Sequence, residues 1–250
     1  MDDASLPDRR YGKYYPLAKA LLQPARRVLW RIATPGLQQV PKSGPVIIAA
    51  NHISFLDSVF LMAVLPRRIT FVGKAEYLDD WKTKHIFPNV GMIPIDRSGG
   101  EAGQAALDAA AAVLGRQELF GIFPEGTRSR TGLLYKGRTG VARLALSTGA
   151  PIVPVGVFGT DRIQPPDAKF PKLFQRCAIR FGKPIDPQQY LSRSHDPRVA
   201  RLLTDEVMFE IRELSEQRYL NQYAGSGDMT ASQVVTSEGA GMQPRVRTAS

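Results

Sequence analysis

A histidine and an acid five residues apart form the first pattern in this sequence that could carry out chemistry. His52 lies in the stretch from Asn51 to Asp57, and the 250-residue chain contains only three histidines. If the whole stretch were helical, Asp57 would point about 140° away from the face that carries His52. We therefore expect a turn at His52 and a helix that begins near Ser54, so that Asp57 reaches back to the imidazole.

This arrangement has two interpretations, which the spacing alone does not separate. In the first, Asp57 fixes the tautomer of His52 and stabilises the imidazolium, while the other ring nitrogen takes a proton from a hydroxyl group. In the second, Ser54 and Asp57 form a capping box and His52 is an ordinary loop residue. The first interpretation predicts a general base, and the second predicts a structural role only.

The stretch 123–130 is a second candidate, because it combines a glycine with two arginines and two hydroxyl side chains. Gly126 permits a positive φ or the close approach of a ligand. Arg128 can bind a phosphate through paired N–H groups, and the N–H groups of such a turn also bind anions. The alternative is a solvated basic loop that contains a Glu–Arg pair.

Two further segments could add charge to the same place. Lys136 precedes a predicted helix, where it adds positive charge near a helix N-terminus; an ordinary basic helix start on the surface explains it as well. Asp96 and Arg97 end a predicted strand, where a structural salt bridge is the alternative to a binding role.

Short apolar segments alternate with helix-like ones along the body of the chain. The predicted strands are 45–50, 69–73, 92–95, 119–123, 152–158 and 178–181. The predicted helices are 54–65, 76–84, 101–116, 137–147 and roughly 197–223. Such alternation predicts an α/β fold with a mixed, mostly parallel central sheet flanked by helices. His52, Lys74, Arg97 and Glu125 each follow a strand, and strand ends are where such folds gather their chemistry.

Composition narrows the class of protein. A hydrophobic fraction of 43% and a charged fraction of 22% are typical of a globular protein. The net charge of +10 indicates an anionic partner. The single cysteine, Cys177, excludes a disulfide within the chain and a cysteine-based metal cluster, and it is interpreted as a packed side chain. No apolar run approaches the ~18 residues of a membrane-spanning helix.

The chain is divided into three parts. Residues 1–34 are predicted to form a polar tail and basic amphipathic helices, residues 35–223 the main domain, and residues 224–250 a disordered tail. The segment 11–34 contains no acid, and Pro24 is expected to divide it into two short helices. This helical pair would lie on an anionic membrane or pack on the domain with its cations in water. A second candidate for surface binding is 168–176. The cations of 11–34 are Lys13, Lys19, Arg26, Arg27 and Arg31.

Taken together, these segments resemble the glycerophospholipid acyltransferase superfamily, and bacterial lysophosphatidic acid acyltransferases in particular. Four motifs of that family occur in order. They are Asn51, His52 and Asp57; Gly91, Ile95, Asp96 and Arg97; the complete run from Phe123 to Ser129; and the strand from Ile152 to Val155. Pro94 departs from the family pattern, which usually has an aromatic or aliphatic residue there, and this could change the aim of Arg97.

The resemblance implies a reaction. His52, held by Asp57, would be the general base for a free hydroxyl of 1-acyl-sn-glycerol 3-phosphate, which attacks the thioester of acyl-CoA or acyl-carrier protein and gives phosphatidic acid. Glu125 and the backbone around Gly126 would shape the site and help to hold the oxyanion. No metal or other cofactor is expected, because a thiolate leaves readily. The residues expected to bind substrate are Asn51, Ser54, Lys74, Arg97, Thr127, Arg128 and Lys136.

The expected partners are a lysophospholipid, an acyl thioester and the anionic cytoplasmic face of the plasma membrane, with peripheral or monotopic attachment. Two alternatives remain. The same chemistry could serve glycerol 3-phosphate, another lysophospholipid or a glycolipid, since the motifs do not distinguish acceptors. A non-catalytic, basic nucleic-acid-binding protein is a distant alternative, because no nucleic-acid motif is visible and aromatic residues do not alternate with the basic runs.

Overall fold

The computed structural model describes residues 14–74, 92–95, 102–165, 168–191 and 196–225. Several predictions therefore concern residues outside these ranges. They include the helix 76–84, the motif residues Gly91, Asp96 and Arg97, and the tails 1–13 and 226–250.

Seven strands of the described residues form one sheet. They are β1 (Trp30–Ala33), β2 (Val46–Ala50), β3 (Ile69–Lys74), β4 (Met92–Ile95), β5 (Leu119–Ile122), β7 (Ile152–Phe158) and β8 (Gln175–Phe181). Their order in the sheet is β1-β8-β7-β2-β5-β3-β4. All neighbours are parallel except β7 and β8, which are antiparallel. The prediction of a mixed, mostly parallel sheet is thus confirmed. A separate parallel pair consists of β6 (Leu134–Tyr135) and β9 (Tyr219–Leu220).

Helices cover both faces of the sheet. They are α1 (Tyr15–Leu29), α2 (Leu56–Val64), α3 (Ala102–Gly115), α4 (Gly140–Thr148), α5 (Thr160–Ile163), α6 (Gln188–Leu191) and α7 (Pro197–Ser215). Strand β2 shows why two layers form. Val46, Ile48 and Ala50 belong to the core that includes residues of α2, whereas Ile47 and Ala49 belong to the core that includes residues of α3, α4 and α7. A central strand covered on both faces is apolar throughout.

The sheet topology brings several chain segments to one edge. Strands β2, β5 and β7 are parallel to one another, so their carboxyl ends lie at the same edge. Strands β8 and β1 run the other way, so their amino ends lie there too. The end of α1 and the loop before β8 therefore reach the same edge as the segment that follows β2.

The predicted N-terminal helical pair is wrong: the structure has one helix and one strand. Pro24 lies inside α1, exposed to solvent, where its missing N–H leaves one carbonyl of the helix without its usual donor. Residues 30–33 leave the helix and form β1, because Trp30 and Ile32 contact the core while the backbone pairs with β8.

Lys19 also differs from its predicted place among the surface cations. Its Nζ donates to the carbonyl of Leu65 at 2.7 Å and to that of Pro66 at 3.1 Å, at the C-terminal end of α2. Burial lowers the pKa of Lys19. Tyr15 is buried beside it and accepts the backbone N–H of Ile69 through its hydroxyl oxygen. These contacts attach the inner face of α1 to the domain.

The last predicted helix is shorter than expected. Helix α7 ends at Ser215, because Glu216 adopts a positive φ of 59° that stops the helix. The chain then turns and forms β9. Cys177 is buried in β8, as predicted. In the part of the chain that the structure describes, no helix is both long and apolar enough to span a membrane.

Candidate active site

The segment between β2 and α2 forms the predicted turn. His52 follows the last residues of β2, and Nδ1 of its ring lies 2.8 Å from Oδ2 of Asp57, which is fully buried. The same Oδ2 accepts the backbone N–H groups of Ile53 at 2.7 Å and Ser54 at 2.8 Å. The predicted contact between His52 and Asp57 is confirmed, although the helix begins at Leu56 rather than near Ser54.

Asp57 combines geometric features of both arrangements. Asp57 accepts the N–H of Ser54, which is one half of a capping box. The other half is missing, because Ser54 Oγ accepts the N–H of Leu56 at 3.3 Å instead of that of Asp57. One carboxylate oxygen therefore both fixes the helix start and orients the imidazole.

The other oxygen of Asp57 has a partner that the sequence analysis missed. Thr160 is fully buried at the start of α5, and its hydroxyl donates to Asp57 Oδ1 at 2.5 Å. A threonine directly after Gly159, at the carboxyl end of the apolar strand β7, was the available signal. Asp57 thus has partners on both oxygens, which fixes the direction in which it faces His52.

Aromatic stacking holds the imidazole ring from the side. The ring of His52 lies on Phe123 with a centroid distance of 3.9 Å and an interplanar angle of 11°. Phe123 in turn stacks on Phe71 at 5.6 Å. Gly121 leaves the space for Phe71, since a Cβ at that position would lie 2.1 Å from the ring. The His52 side chain keeps 18% exposure, and its Nε2 has no hydrogen-bond partner among the described residues.

Glu125 is buried beneath the turn, with 1% of its surface exposed. Its Oε1 accepts the backbone N–H of His52 at 3.0 Å, and its Oε2 accepts that of Tyr135 at 2.9 Å. Burial raises the pKa of Glu125 to about 8. Since both oxygens bind the backbone, the geometry does not support the predicted contact of Glu125 with an oxyanion; it supports a positioning role.

The loop 123–129 folds directly onto His52. Ser129 is buried, and its backbone N–H donates to the carbonyl of His52 at 2.7 Å. Gly126 has a φ of 79°, as the sequence analysis allowed, and its N–H donates to Phe123. The N–H groups of Thr127 and Arg128 have no acceptor in the described part of the chain. The backbone of this turn is thus available to an anion.

Asn51 and Ser54 do not fit their predicted role in substrate binding. Asn51 is fully buried and bonds both the N–H and the carbonyl of Val157, and its amide also donates to Gln217. Ser54 is buried and donates to the carbonyl of Gln164 at 3.0 Å. The polar atoms of both side chains are used within the protein, so these residues connect β2 and its turn to β7 and α5.

The cations near the turn form an outer group. Arg128 and Lys136 are half-buried, and Thr127 and Arg138 are exposed. Arg138 was not selected from the sequence, yet its Nε lies 3.0 Å from the position a Cβ of Gly126 would occupy. The backbone of Arg138 also donates to Pro124, which fixes it beside the turn.

Two of the predicted binding residues have no described side chain. Arg97 lies outside the described residues. Lys74 ends β3 as the register partner of Ile95 in β4, and only its backbone is described. Their predicted role in binding therefore stays a prediction.

A fold of this kind, with a histidine–aspartate pair at the carboxyl edge of the sheet, has a counterpart among known proteins. A family model for acyltransferases matches residues 31–158, which is more than half of the chain. The chain therefore belongs to the acyltransferase family and is an enzyme that transfers acyl groups.

Several relatives carry a more specific name. The 1-acyl-sn-glycerol-3-phosphate acyltransferase alpha of Bos taurus is 28% identical over 205 residues, which are 79% of this chain and 70% of that protein. The 1-acyl-sn-glycerol-3-phosphate acyltransferase of Borreliella burgdorferi is 30% identical over 131 residues, or 52% of each chain. The crystal structure of the 1-acyl-sn-glycerophosphate (LPA) acyltransferase PlsC from Thermotoga maritima shares the fold. Its TM-score is 0.59 at 21% identity, with 81% of this chain and 80% of that chain covered.

Proposed function

We propose that this enzyme transfers a fatty acyl group from a thioester to the free hydroxyl of 1-acyl-sn-glycerol 3-phosphate, and that the product is phosphatidic acid. The observation that carries the proposal is the pairing of His52 Nδ1 with Asp57 Oδ2 at 2.8 Å, with the ring partly exposed. The names of the similar proteins support the choice of acceptor.

His52 acts as the general base in this proposal. With Nδ1 bonded to Asp57, Nε2 is the nitrogen that takes the proton from the attacking hydroxyl group. The hydroxyl oxygen forms a bond to the thioester carbonyl carbon, and the carbon–sulfur bond then breaks. The thiolate leaves and receives the proton from His52. The buried carboxylate of Asp57 stabilises the imidazolium that forms between these steps.

The thioester is that of acyl-CoA or of acyl-carrier protein, and the reaction needs no further cofactor because a thiolate is a good leaving group. We assign the oxyanion to backbone N–H groups of the turn at Gly126, rather than to the side chain of Glu125. Donors fixed before the reaction stabilise the developing negative charge without reorganisation. The positive φ of Gly126 fixes this turn.

The phosphate of the acceptor binds to the outer cations in this proposal. Arg128, Lys136 and Arg138 lie on or beside the turn that folds onto His52, and Arg97 is the predicted fourth member. Arginine suits this role because its planar group donates paired N–H bonds to phosphate oxygens.

Attachment to an anionic membrane surface, on the cytoplasmic face, is the last part of the proposal. Tyr14, Leu17, Leu21 and Val28 are exposed, and their spacing places them on one face of α1. Arg27 is exposed on the same helix. An apolar stripe with neighbouring cations favours a helix that lies in the headgroup region.

The test is thiol release from an acyl-CoA with 1-acyl-sn-glycerol 3-phosphate as acceptor. His52→Ala is expected to lower kcat by about 10²–10⁴-fold, the usual contribution of a positioned general base. His85→Ala and His195→Ala change the other two histidines and serve as matched controls that keep wild-type activity. Full activity of His52→Ala would refute the assigned base.

A panel of acceptors tests the substrate separately. Glycerol 3-phosphate, 1-acyl-sn-glycerol 3-phosphate and lysophosphatidylcholine are compared with one acyl-CoA, and products are identified by mass. We expect the highest kcat/KM with 1-acyl-sn-glycerol 3-phosphate. A clear preference for another acceptor would keep the chemistry and replace the proposed substrate.

A further inference from the structure

The loop that precedes β8 exposes large apolar side chains in a fixed position. We call residues 168–174 the rim loop. Its Phe170 is 83% exposed, Phe174 is 72% exposed and Leu173 is 46% exposed. These three large apolar side chains are exposed to water within a stretch of only five residues. Such a cluster on the surface of a folded domain indicates a contact surface.

Hydrogen bonds place the rim loop at the edge of the sheet where His52 lies. Within the loop, the N–H of Lys172 donates to the carbonyl of Ile163 at 2.8 Å, at the end of α5. The next residue, Gln164, accepts the hydroxyl of Ser54 at 3.0 Å. Ser54 belongs to the turn that carries His52, so a short series of contacts connects the loop to the site.

The loop is also fixed to the end of α1. The N–H of Phe174 donates to the carbonyl of Leu29 at 2.6 Å, and Nε1 of Trp30 donates to the carbonyl of Lys172 at 2.9 Å. Phe174 has a positive φ of 60°, which a bulky residue rarely adopts. The exposed phenylalanine is thus held in an unusual conformation next to the helix that carries the apolar stripe, which favours a surface that functions outside the domain.

The positive charges around the loop favour an anionic partner. Residues 168–176 contain Lys169, Lys172 and Arg176 and no acid. Arg176 is the register partner of Arg31 in the parallel pair of β8 and β1, and both side chains are exposed. Two arginines side by side on one face of a sheet raise the local positive potential, which favours an anion beside them.

We propose that the rim loop inserts Phe170, Leu173 and Phe174 into the surface of an anionic bilayer, next to α1, with its cations at the lipid phosphates. Aromatic side chains interspersed with lysine and arginine are typical of such interfacial contacts. This proposal rests on the proposed function in one respect: it explains how an acceptor whose acyl chain stays in the bilayer reaches His52.

The first experiment measures vesicle binding without turnover. The full chain is sedimented with vesicles of phosphatidylcholine alone and of phosphatidylcholine mixed equally with phosphatidylglycerol. Phe170→Ser combined with Phe174→Asn is expected to weaken binding to the anionic vesicles by about tenfold per phenylalanine. Asparagine suits the positive φ at 174. Phe209→Ser and Leu202→Ser remove exposed apolar side chains of α7 and form the matched control.

A single fluorescent label tests the geometry directly. Cys177 is the only cysteine of the chain and is buried, so Phe170→Cys offers one accessible thiol for an environment-sensitive dye. We expect a blue shift with the anionic vesicles, and none for the same dye at Phe209→Cys. Wild-type binding by the Phe170 and Phe174 double variant, or a label at 170 that stays in water, would overturn the proposal.

Activity provides the last distinction. With 1-acyl-sn-glycerol 3-phosphate in vesicles, the double variant should lose activity; with a short-chain, monomeric acceptor it should equal the wild type. Equal losses with both acceptors would overturn the proposal, because the loop would then serve the reaction itself. A chain that binds vesicles through this loop but shows no acyl transfer would refute the proposed function and leave the membrane surface intact.

Discussion

The polar residues of the site fall into two groups that differ in burial. The inner group consists of Asn51, Asp57, Glu125 and Thr160, which are buried and bonded to neighbouring groups of the protein. The outer group consists of Thr127, Arg128, Lys136 and Arg138, which retain exposure to solvent. Both groups lie at the same edge of the sheet and near the same turn.

This difference assigns separate tasks to residues that look alike in the sequence. Inner side chains have no polar atom left for a substrate, so they act by holding His52 and the turn in place. Outer side chains are accessible to a phosphate but contribute little to the stability of the fold. We therefore expect inner substitutions to change kcat or stability, and outer substitutions to change KM.

Asp57→Asn is expected to have the largest effect of the substitutions considered below. The amide oxygen of asparagine can accept the three donors that bind Oδ2, and its NH₂ group can donate to Thr160, so the protein should fold. The neutral side chain stabilises the imidazolium poorly, and we expect kcat to fall by about 10²–10⁴-fold with KM little changed. Steady-state kinetics and thermal unfolding are measured together.

Thr160 supplies the graded control for this prediction. Thr160→Val removes only the hydroxyl bond to Asp57 Oδ1 and should lower kcat by about tenfold, whereas Thr160→Ser retains the hydroxyl and should restore the rate. Near-normal kcat in Asp57→Asn, or an equal loss in the valine and serine variants, would contradict the assignment of the inner group to positioning.

Periodicity in the sequence predicted six of the seven strands of the main sheet, but it missed β1 and the separate pair of β6 and β9. The strand from Ile152 to Phe158 is long and apolar, and its bounds were predicted correctly. Strand β1 was missed because it has only four residues and follows α1 directly, and because Arg31 interrupts its apolar pattern. Strands β6 and β9 have two residues each, which is too short for any periodic pattern.

Spacing likewise predicted only the local part of the site. The five-residue separation of His52 and Asp57 determined the turn, since the two side chains can meet only if the helix starts after His52. Thr160 lies 103 residues from Asp57 in sequence, and only the pairing of β2 with β7 brings them together. The burial of Glu125 depends in the same way on β6, which the sequence did not reveal.

Glu125→Gln should have the next largest effect, and mainly on stability. Either oxygen of a carboxyl group can accept an N–H bond, but glutamine turns an NH₂ group toward the N–H of His52 or Tyr135. The unpaired buried donor should lower the free energy of unfolding by about 1–3 kcal/mol. Urea unfolding measures this loss, and Glu118→Gln, at a partly exposed carboxylate, is the control.

The pH dependence of unfolding tests the same carboxyl group. Burial raises its pKa in the folded protein from the ordinary value of 4.5 to about 8. Between these values the folded protein holds a proton that the unfolded chain releases, so this group makes stability fall as pH rises, by at most ~1.4 kcal/mol per pH unit. Glu125→Gln should lack this contribution. The same slope in wild type and variant would show that Glu125 is ionised in the folded state.

Arg138→Ala belongs to the outer group and should have the smallest effect. The side chain is exposed, so water and salt screen its attraction for the phosphate, and we expect KM for 1-acyl-sn-glycerol 3-phosphate to rise by about fivefold at low salt. The free energy of unfolding and kcat should remain near wild type, and the difference in KM should shrink as salt is added. Arg143→Ala, at an exposed arginine of α4, is the matched control. A loss of kcat with unchanged KM would place Arg138 with the inner group and remove the distinction, because an exposed cation would then act on the reacting atoms rather than on the bound phosphate.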